Sequence, residues 1–134
     1  MKTKVYLAAS WLRREEMQSV AQELRTAGLE VDVHWLDQYD SHKQKSHLNN
    51  ARADIRGVRE CDVFVRYSDD LSLPLVPSKL ATGGRFVEQG IAMTLDKEIF
   101  VVGGKQCIFD ELPKVTHVKD TAHLLRELSS EEIH

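Results

Sequence analysis

Short apolar runs alternate with amphipathic stretches along the 134-residue chain. The first run, residues 4–9, predicts a buried strand, and residues 13–27 predict a helix that Gly28 is suited to end. The helix is indicated by apolar residues at i, i+3, i+4 and i+7 spacing, namely Met17, Val20, Ala21 and Leu24. The change from a strand to a helical period is the first architectural signal.

The same alternation continues to the end of the chain. Further strands are predicted at 29–35, 62–65, 99–102 and 115–118, and further helices at 46–59, 85–96 and 121–128. The strand at 29–35 alternates apolar and polar residues, which is typical of an edge strand. The helix at 46–59 is expected to bury a stripe formed by Leu48, Ala51, Ile55 and Val58.

Strands joined by helices predict an α/β fold, since parallel neighbours need crossover connections. We expect one domain, residues 1–134, with a three-layer flavodoxin-like or Rossmann-like architecture and about five parallel strands in the order 2-1-3-4-5. In such sheets a ligand binds beyond the carboxyl ends of the strands, where the winding reverses between the first and third strands. Residues that follow those strands are therefore the first candidates for a site.

Charge and hydropathy exclude several classes of partner. The formal net charge of −3 and the pI near 6.1 give no electrostatic footprint for duplex nucleic acid. No apolar run approaches the ~20 residues of a membrane span, so we expect a cytoplasmic protein that does not enter a membrane.

Residues that commonly bind metals show no grouping along the sequence. Cys61 and Cys107 are isolated, and the six histidines, His34 among them, lack the spacing of metal ligands and are interpreted as scattered surface residues. The 82–84 stretch is glycine-rich but matches neither a dinucleotide-binding nor a Walker motif. No metal and no cofactor is predicted.

Glu88 fits its predicted surroundings least well. It shares a helix face with Ile91, Ala92 and Leu95, which should pack on the sheet. Gly83 and Gly84 just before it allow a ligand to approach the backbone at a helix N-terminus. Glu88 is therefore either a carboxylate that faces a ligand or a capping residue of the first turn.

Three other side chains are expected near the same strand ends. Asp54 lies at the margin of the second helix's stripe, where it could serve acid/base or nucleophilic chemistry or remain solvated. Tyr6 on the first strand and Trp11 after it could orient a carboxylate and stack on a flat base. Core packing explains both aromatic residues equally well.

Three ordered segments together resemble the nucleoside 2-deoxyribosyltransferase family, which includes 2-deoxynucleoside 5-monophosphate N-glycosidases. They are VYLAASW at 5–11, ADIRGV at 53–58 followed by CDV at 61–63, and GGRFVEQGIA at 83–92. The resemblance spans residues 4–102 and implies a flavodoxin-like fold. It also implies that Glu88 is the nucleophile that forms a glycosyl ester, that Asp54 handles the proton on the base, that Tyr6 hydrogen-bonds the nucleophile, and that Trp11 lines the base pocket.

The subclass within that family stays open. Transferases of the family carry an aspartate six residues before the nucleophile and its hydrolases often a serine, whereas this chain has Thr82. Asp69 or Asp70 could supply the contact to the sugar instead. Ser10 with Arg13 or Arg14 only approximates the phosphate loop of the hydrolases.

The resemblance implies cleavage or exchange of the N-glycosidic bond of 2-deoxynucleosides or their 5-monophosphates. It implies a nucleoside or nucleotide substrate, no cofactor, and a homo-oligomer (a dimer or higher). The alternative is a catalytically silent module that keeps the cleft as a nucleotide sensor. Tyr6, Asp54 and Glu88 are all present, which favours an enzyme.

Overall fold

The computed structural model describes residues 2–37, 47–69 and 83–132. Its five strands are β1 (Lys4–Ala8), β2 (Glu30–Asp32), β3 (Val63–Tyr67), β4 (Glu98–Val102) and β5 (Val115–Val118). Its helices are α1 (Arg14–Thr26), α2 (His47–Glu60), α3 (Gly84–Thr94) and α4 (Thr121–Glu132). Short 3-10 turns lie at Trp11–Arg13, His34–Asp37 and Ile108–Glu111.

The strands form one parallel sheet in the order β2-β1-β3-β4-β5, which confirms the predicted topology. Right-handed crossovers place α2 and α3 on one face of the sheet and α1 on the other, because the winding reverses after β2. The α4 helix joins the α1 face, where Thr121 at its start bonds the Tyr67 hydroxyl of β3. The result is the expected three-layer α/β architecture.

The buried core follows the central strands. All five residues of β3 are buried, and β1 and β4 are buried from their second residue onward, as expected for parallel strands covered on both faces. The predicted stripe of α1, including Met17 and Leu24, is buried as well. Among the described residues, no helix has the length and apolar character needed to cross a membrane.

The second strand is shorter than its alternating pattern predicts. Pairing to β1 ends at Asp32, and Trp35 lies in a 3-10 turn, where its indole Nε1 donates a 2.6 Å hydrogen bond to the Leu7 carbonyl. The chain turns here because the Asp32 side chain accepts a 3.2 Å bond from the His34 amide. This turn brings the His34 ring back toward the sheet.

The predicted buried stripe of α2 is wrong in three of its four positions. Leu48 and Ile55 are 58% and 41% exposed, Ala51 is exposed, and only Val58 is buried. Gly57, which is also buried, selects the inner face, because the absence of a side chain lets the helix approach β1 closely. That rotation of the helix places Asp54 toward the sheet instead of at a solvated margin.

The α3 helix begins at Gly84, close to the predicted position. Gly83 before it adopts φ 78°, a left-handed conformation that glycine tolerates without strain. The predicted burial of Leu95 is wrong: the helix ends at Thr94, and Leu95 follows as a 45% exposed C-cap. Ala92 is buried as predicted, and Gln89 is buried with it.

We predict that Gly57→Ala destabilises the protein. An added Cβ would lie 2.6 Å from the Asp32 Oδ2 atom and 2.7 Å from the Tyr6 ring, so the helix must shift. Overpacking of this kind costs about 1–3 kcal/mol of the free energy of unfolding, which urea denaturation measures. Gly90→Ala on α3 is the control, since a Cβ there meets nothing within 4 Å and should gain up to about 1 kcal/mol from helix propensity. Equal stability of the two variants would contradict this packing.

Candidate active site

Tyr6 of β1 is the centre of a cluster of polar side chains on the α2–α3 face of the sheet. Its ring is fully buried and stacks on Phe64 of β3, with ring centroids 5.8 Å apart. The His34 ring meets it edge-on at 6.0 Å. These contacts fix the phenol so that its hydroxyl points toward α3.

The Tyr6 hydroxyl donates a hydrogen bond to the Glu88 carboxylate. Because α3 starts at Gly84, Glu88 is its fifth residue, and no acidic residue lies in the first turn. The capping interpretation of Glu88 is therefore wrong. Burial, together with the charges of Glu88 and Asp54, raises the Tyr6 pKa far above its ordinary value. The phenol consequently stays protonated and remains a donor.

Glu88 has an unusual electrostatic environment for a carboxylate. Burial raises its pKa to about 8, and the hydrogen bond from Tyr6 and the nearby His34 only partly offset this effect. Repulsion from Asp54 and Asp32 adds to the rise. A carboxylate destabilised in this way is more basic than one in water, and it gains by bonding to a carbon or to a proton.

Asp54 of α2 belongs to the same cluster and is bound by His34. The His34 Nε2 atom lies 2.7 Å from the Asp54 Oδ1 atom, and its Nδ1 atom lies 2.6 Å from the Asp32 Oδ1 atom. The three side chains are 18–31% exposed. They form an Asp32–His34–Asp54 network in which one imidazole bridges two carboxylates.

The network makes His34 a strong base. Burial disfavours the imidazolium ion, but the hydrogen bonds to Asp32 and Asp54 outweigh that cost and raise the His34 pKa to about 9. In the same contact His34 holds the pKa of Asp32 below its ordinary value, against the effect of burial. The imidazole therefore carries a positive charge at neutral pH.

The interpretation of His34 as a scattered surface histidine is wrong, and Asp32 is a member of the cluster that was not predicted from the sequence. A usable signal was present in the edge strand. Asp32 and His34 are the polar positions between Val31, Val33 and Trp35, and Asp32 pairs in register with Tyr6. Polar residues beside a candidate site on the neighbouring strand point to a shared cluster.

A buried ion pair anchors α3 beneath Glu88. Arg66 of β3 is fully buried and binds both carboxylate oxygens of Asp110 at 2.7 and 2.8 Å. Gln89 joins this pair, accepting from Arg66 and donating to Asp110 at 2.9 Å. Since Gln89 is the next residue after Glu88, the ion pair fixes the position of the carboxylate along the sheet.

The residues that follow β1 lie at the same end of the sheet. Trp11 packs edge-on against Trp35 with centroids 6.3 Å apart, and the Arg14 guanidinium lies 5.1 Å from its ring. Ser10 is buried, and its hydroxyl accepts a 3.3 Å bond from the Leu12 amide. Ser10 therefore caps the short turn that positions Trp11.

Arg13 and Asp69 border a cleft of about 310 Å³ at the ends of β3, β4 and β5. The Arg13 guanidinium donates to the Ser68 carbonyl and to Glu16. Asp69 accepts a 2.6 Å hydrogen bond from Arg85. Arg85 lies on α3, one helical turn before Glu88. The structure thus places Asp69 beside the start of α3, together with Gly83 and Gly84, whereas Asp70 and Thr82 lie outside the described residues.

The geometry combines two chemical capacities. Glu88 is a destabilised carboxylate held by a neutral donor, which suits a nucleophile or a base. Asp54 is a carboxylate in contact with a cationic imidazole, which suits a carrier of protons. Within the part of the chain that the structure describes, no three His, Cys, Asp or Glu side chains form a metal-ligand group.

Solved structures of low sequence identity share this fold. A CMP N-glycosidase from Clostridium botulinum is 20% identical with a TM-score of 0.62, over 96% of this chain and 99% of that protein. A 2-deoxyribosyltransferase from Bacillus psychrosaccharolyticus is 17% identical with a TM-score of 0.66, over 92% of this chain and 90% of that one. No protein-family model and no curated protein matches the sequence.

The same architecture also occurs outside these enzymes. A response regulator receiver domain protein from Bacillus halodurans is 14% identical with a TM-score of 0.54, over 97% of each chain. At identities this low the likeness establishes the fold alone, and the function has to be argued from the site.

We predict that Glu88→Gln makes the protein more resistant to unfolding at high pH. The folded pKa of Glu88 lies above its ordinary 4.5, so its contribution to stability is complete below pH 4.5 and is lost as the pH rises through about 8. The amide of the variant stays neutral throughout. Urea unfolding should show similar stabilities at pH 5 and a gain of about 1–3 kcal/mol for the variant at pH 8.5.

Glu15→Gln in the exposed first turn of α1 is the matched control. It removes one carboxylate in contact with water, so we expect no comparable gain between pH 5 and pH 8.5. A Glu88→Gln variant that paralleled the wild-type protein at both pH values would show that the Glu88 carboxylate is not destabilised by the fold.

Proposed function

We propose that this protein cleaves or exchanges the N-glycosidic bond of 2-deoxynucleosides or their 5-monophosphates through a covalent glycosyl ester on Glu88. The observation that carries the proposal is the partly buried Glu88 carboxylate, bound by the Tyr6 hydroxyl next to the Asp54–His34 pair. The fold is shared with an N-glycosidase and a 2-deoxyribosyltransferase, which supports N-glycosidic chemistry on nucleosides or nucleotides.

In the first half-reaction Glu88 attacks the anomeric carbon of the sugar. The carbon–nitrogen bond breaks with its electron pair going to the base, and a carbon–oxygen bond to Glu88 forms. Tyr6 holds the attacking carboxylate in place without protonating it, because its own proton is bound far too tightly to transfer. Ester formation removes the buried charge of Glu88, which favours the step.

Asp54 passes a proton to the departing base nitrogen. A base that leaves as an anion is a poor leaving group, so protonation lowers the barrier by an amount worth about 10²–10⁴ in rate. In the second half-reaction water or an acceptor base attacks the ester, and Asp54 takes back a proton. The same two carboxylates thereby serve cleavage and exchange.

Other side chains would contact the substrate. Trp11 offers a flat surface at the end of β1 for a base, and Gly83 and Gly84 keep the start of α3 accessible. Asp69, bound to Arg85 of α3, is the described candidate for contact with the sugar, and Asp70 and Thr82 are proposed for the same role from their position in the sequence.

Recognition of a 5-phosphate would draw on Ser10 and Arg13. Arg13 is already bound to Glu16, so a phosphate would have to replace that carboxylate on the guanidinium. A comparison of each deoxynucleoside with its monophosphate therefore tests whether the phosphate is recognised. A silent nucleotide-binding sensor is the second candidate, and it is favoured only if ligands bind without losing their base.

We predict base release from at least one member of a panel of the four 2-deoxynucleosides and their 5-monophosphates, with or without added free adenine. Chromatography measures free base, and a new deoxynucleoside of adenine reports exchange. Glu88→Gln should lower the rate by at least about 10³-fold, as expected for loss of a nucleophile. Its circular dichroism spectrum should match that of the wild-type protein.

Two results would contradict the proposal. A Glu88→Gln variant that kept near-wild-type base release would show that Glu88 is not the nucleophile. A wild-type protein that bound panel members in calorimetry, yet released no base from any of them, would favour the sensor.

A further inference from the structure

His34 occupies a position that the proposed chemistry of Glu88, Asp54 and Tyr6 does not by itself require. It follows the edge strand β2, and its ring reaches under α2 to bind the Asp54 carboxylate at 2.7 Å. Its other nitrogen is bound to Asp32 at 2.6 Å. An imidazole with both nitrogens on carboxylates is held in one orientation and binds protons strongly.

The charged and titratable groups around His34 come from four elements. Asp32 lies on β2, Tyr6 on β1, Asp54 on α2 and Glu88 on α3. The nearest groups are acidic, and they leave His34 as the cation among three carboxylates.

Solvent reaches this network from the outer edge of the sheet. His34 and Asp32 line a cleft of about 460 Å³ at β2, and the His34 side chain is 31% exposed. The charged residues Lys4, Arg25 and Glu30 border the same cleft. Glu88 is not among its lining residues, so protons can exchange with His34 from the side of the network away from the nucleophile.

We infer that His34 is the proton reservoir of the site, supplying through Asp54 the proton that the departing base takes up. The inference rests on the proposed function and deepens it, because it assigns the origin of that proton. Both ring nitrogens of His34 are bound to carboxylates, so His34 is a positioning residue that acts through Asp54.

The proton transfers balance in both half-reactions. As the glycosidic bond breaks, the proton on the His34 Nε2 atom passes to the Asp54 carboxylate, and Asp54 delivers a proton to the base nitrogen, which leaves neutral imidazole and an ionised Asp54. When water or an acceptor base attacks the ester, its proton passes to Asp54 and then to His34. The carbon–oxygen bond breaks with its electron pair returning to Glu88.

The alternative is that His34 only orients Asp54 as a hydrogen-bond donor. The two roles respond differently to pH, because a reservoir must be charged whereas a donor need not be. Activity through a reservoir rises as Glu88 ionises near pH 8 and falls as His34 loses its proton near pH 9. A purely orienting His34 leaves no falling limb at alkaline pH.

The test compares two substrates that differ in their need for a proton. Deoxyguanosine, or the base that the panel shows to be preferred, requires protonation, whereas N7-methyl-2-deoxyguanosine releases a neutral base without it. His34→Gln should lower kcat/KM for the first substrate by about 10²-fold and leave the second within about threefold, because the glutamine amide can donate a hydrogen bond to Asp54 but cannot transfer a proton to it. Asp54→Asn should show the same substrate pattern.

Two further variants separate a proton reservoir from structural support. Asp32→Asn should move the alkaline limb of kcat/KM to lower pH without abolishing activity, because it removes one of the two carboxylates that raise the His34 pKa. Added imidazole should restore part of the activity of a His34→Gly variant. His123→Gln is the matched control. His123 is a half-buried histidine on α4 that accepts a hydrogen bond from the Lys119 amide. Its replacement should change neither the alkaline limb of kcat/KM nor the ratio of kcat/KM for the two substrates.

The outcomes distinguish this inference from the proposed function. Base release from neither substrate by the wild-type protein would contradict the proposed function itself. A different result would overturn only the assignment of His34 as the proton reservoir. In that result base release depends on Glu88, but His34→Gln keeps the wild-type ratio of kcat/KM for the two substrates and the wild-type fall of kcat/KM at alkaline pH. Nuclear magnetic resonance titration of His34 in the wild-type protein and in Asp32→Asn provides a readout independent of activity, and an identical midpoint in the two proteins would also overturn it.

Discussion

The structure depends on keeping the Glu88 carboxylate on the inner face of α3, in contact with the phenol of Tyr6. Burying a carboxylate without water is costly, so its neighbours have to compensate. Tyr6 supplies a hydrogen bond, and His34 supplies a positive charge. Gly57 makes room for these groups between α2 and the sheet, and the Arg66–Asp110 pair holds α3 in place through Gln89.

The sheet could be predicted from the sequence because each of its determinants is local. Apolar runs, helical periods and a glycine at a helix end repeat in an order that parallel crossovers restrict to few topologies. The inner face of α2 could not be found in this way. Leu48 and Ile55 fit a helical stripe better than Asp54 and Gly57 do, and only close contact with Tyr6 and Asp32 favours the second pair.

The residues of the candidate site also differ in how far the sequence predicts them. Glu88 was conspicuous because a charge interrupts an apolar helix face, and Tyr6 and Asp54 could be grouped with it through a resemblance of ordered motifs. The signal for His34 and Asp32 is weaker, namely their polar positions in the edge strand, because their role depends on the register of β2 against β1 and on a turn that the alternating pattern hides. The fold itself is shared with a receiver domain protein, so these side chains carry the argument for function.

The central claim is that the sugar becomes bonded to Glu88 during turnover. Mass spectrometry of protein quenched in acid within one turnover tests it directly, with a 2-fluoro-2-deoxynucleoside used to slow hydrolysis of the ester. The account predicts a mass increase of one glycosyl group, located on the peptide that contains Glu88 and missing from Glu88→Gln. Release of one equivalent of base with the sugar free in solution, or bonded to another residue, would contradict it.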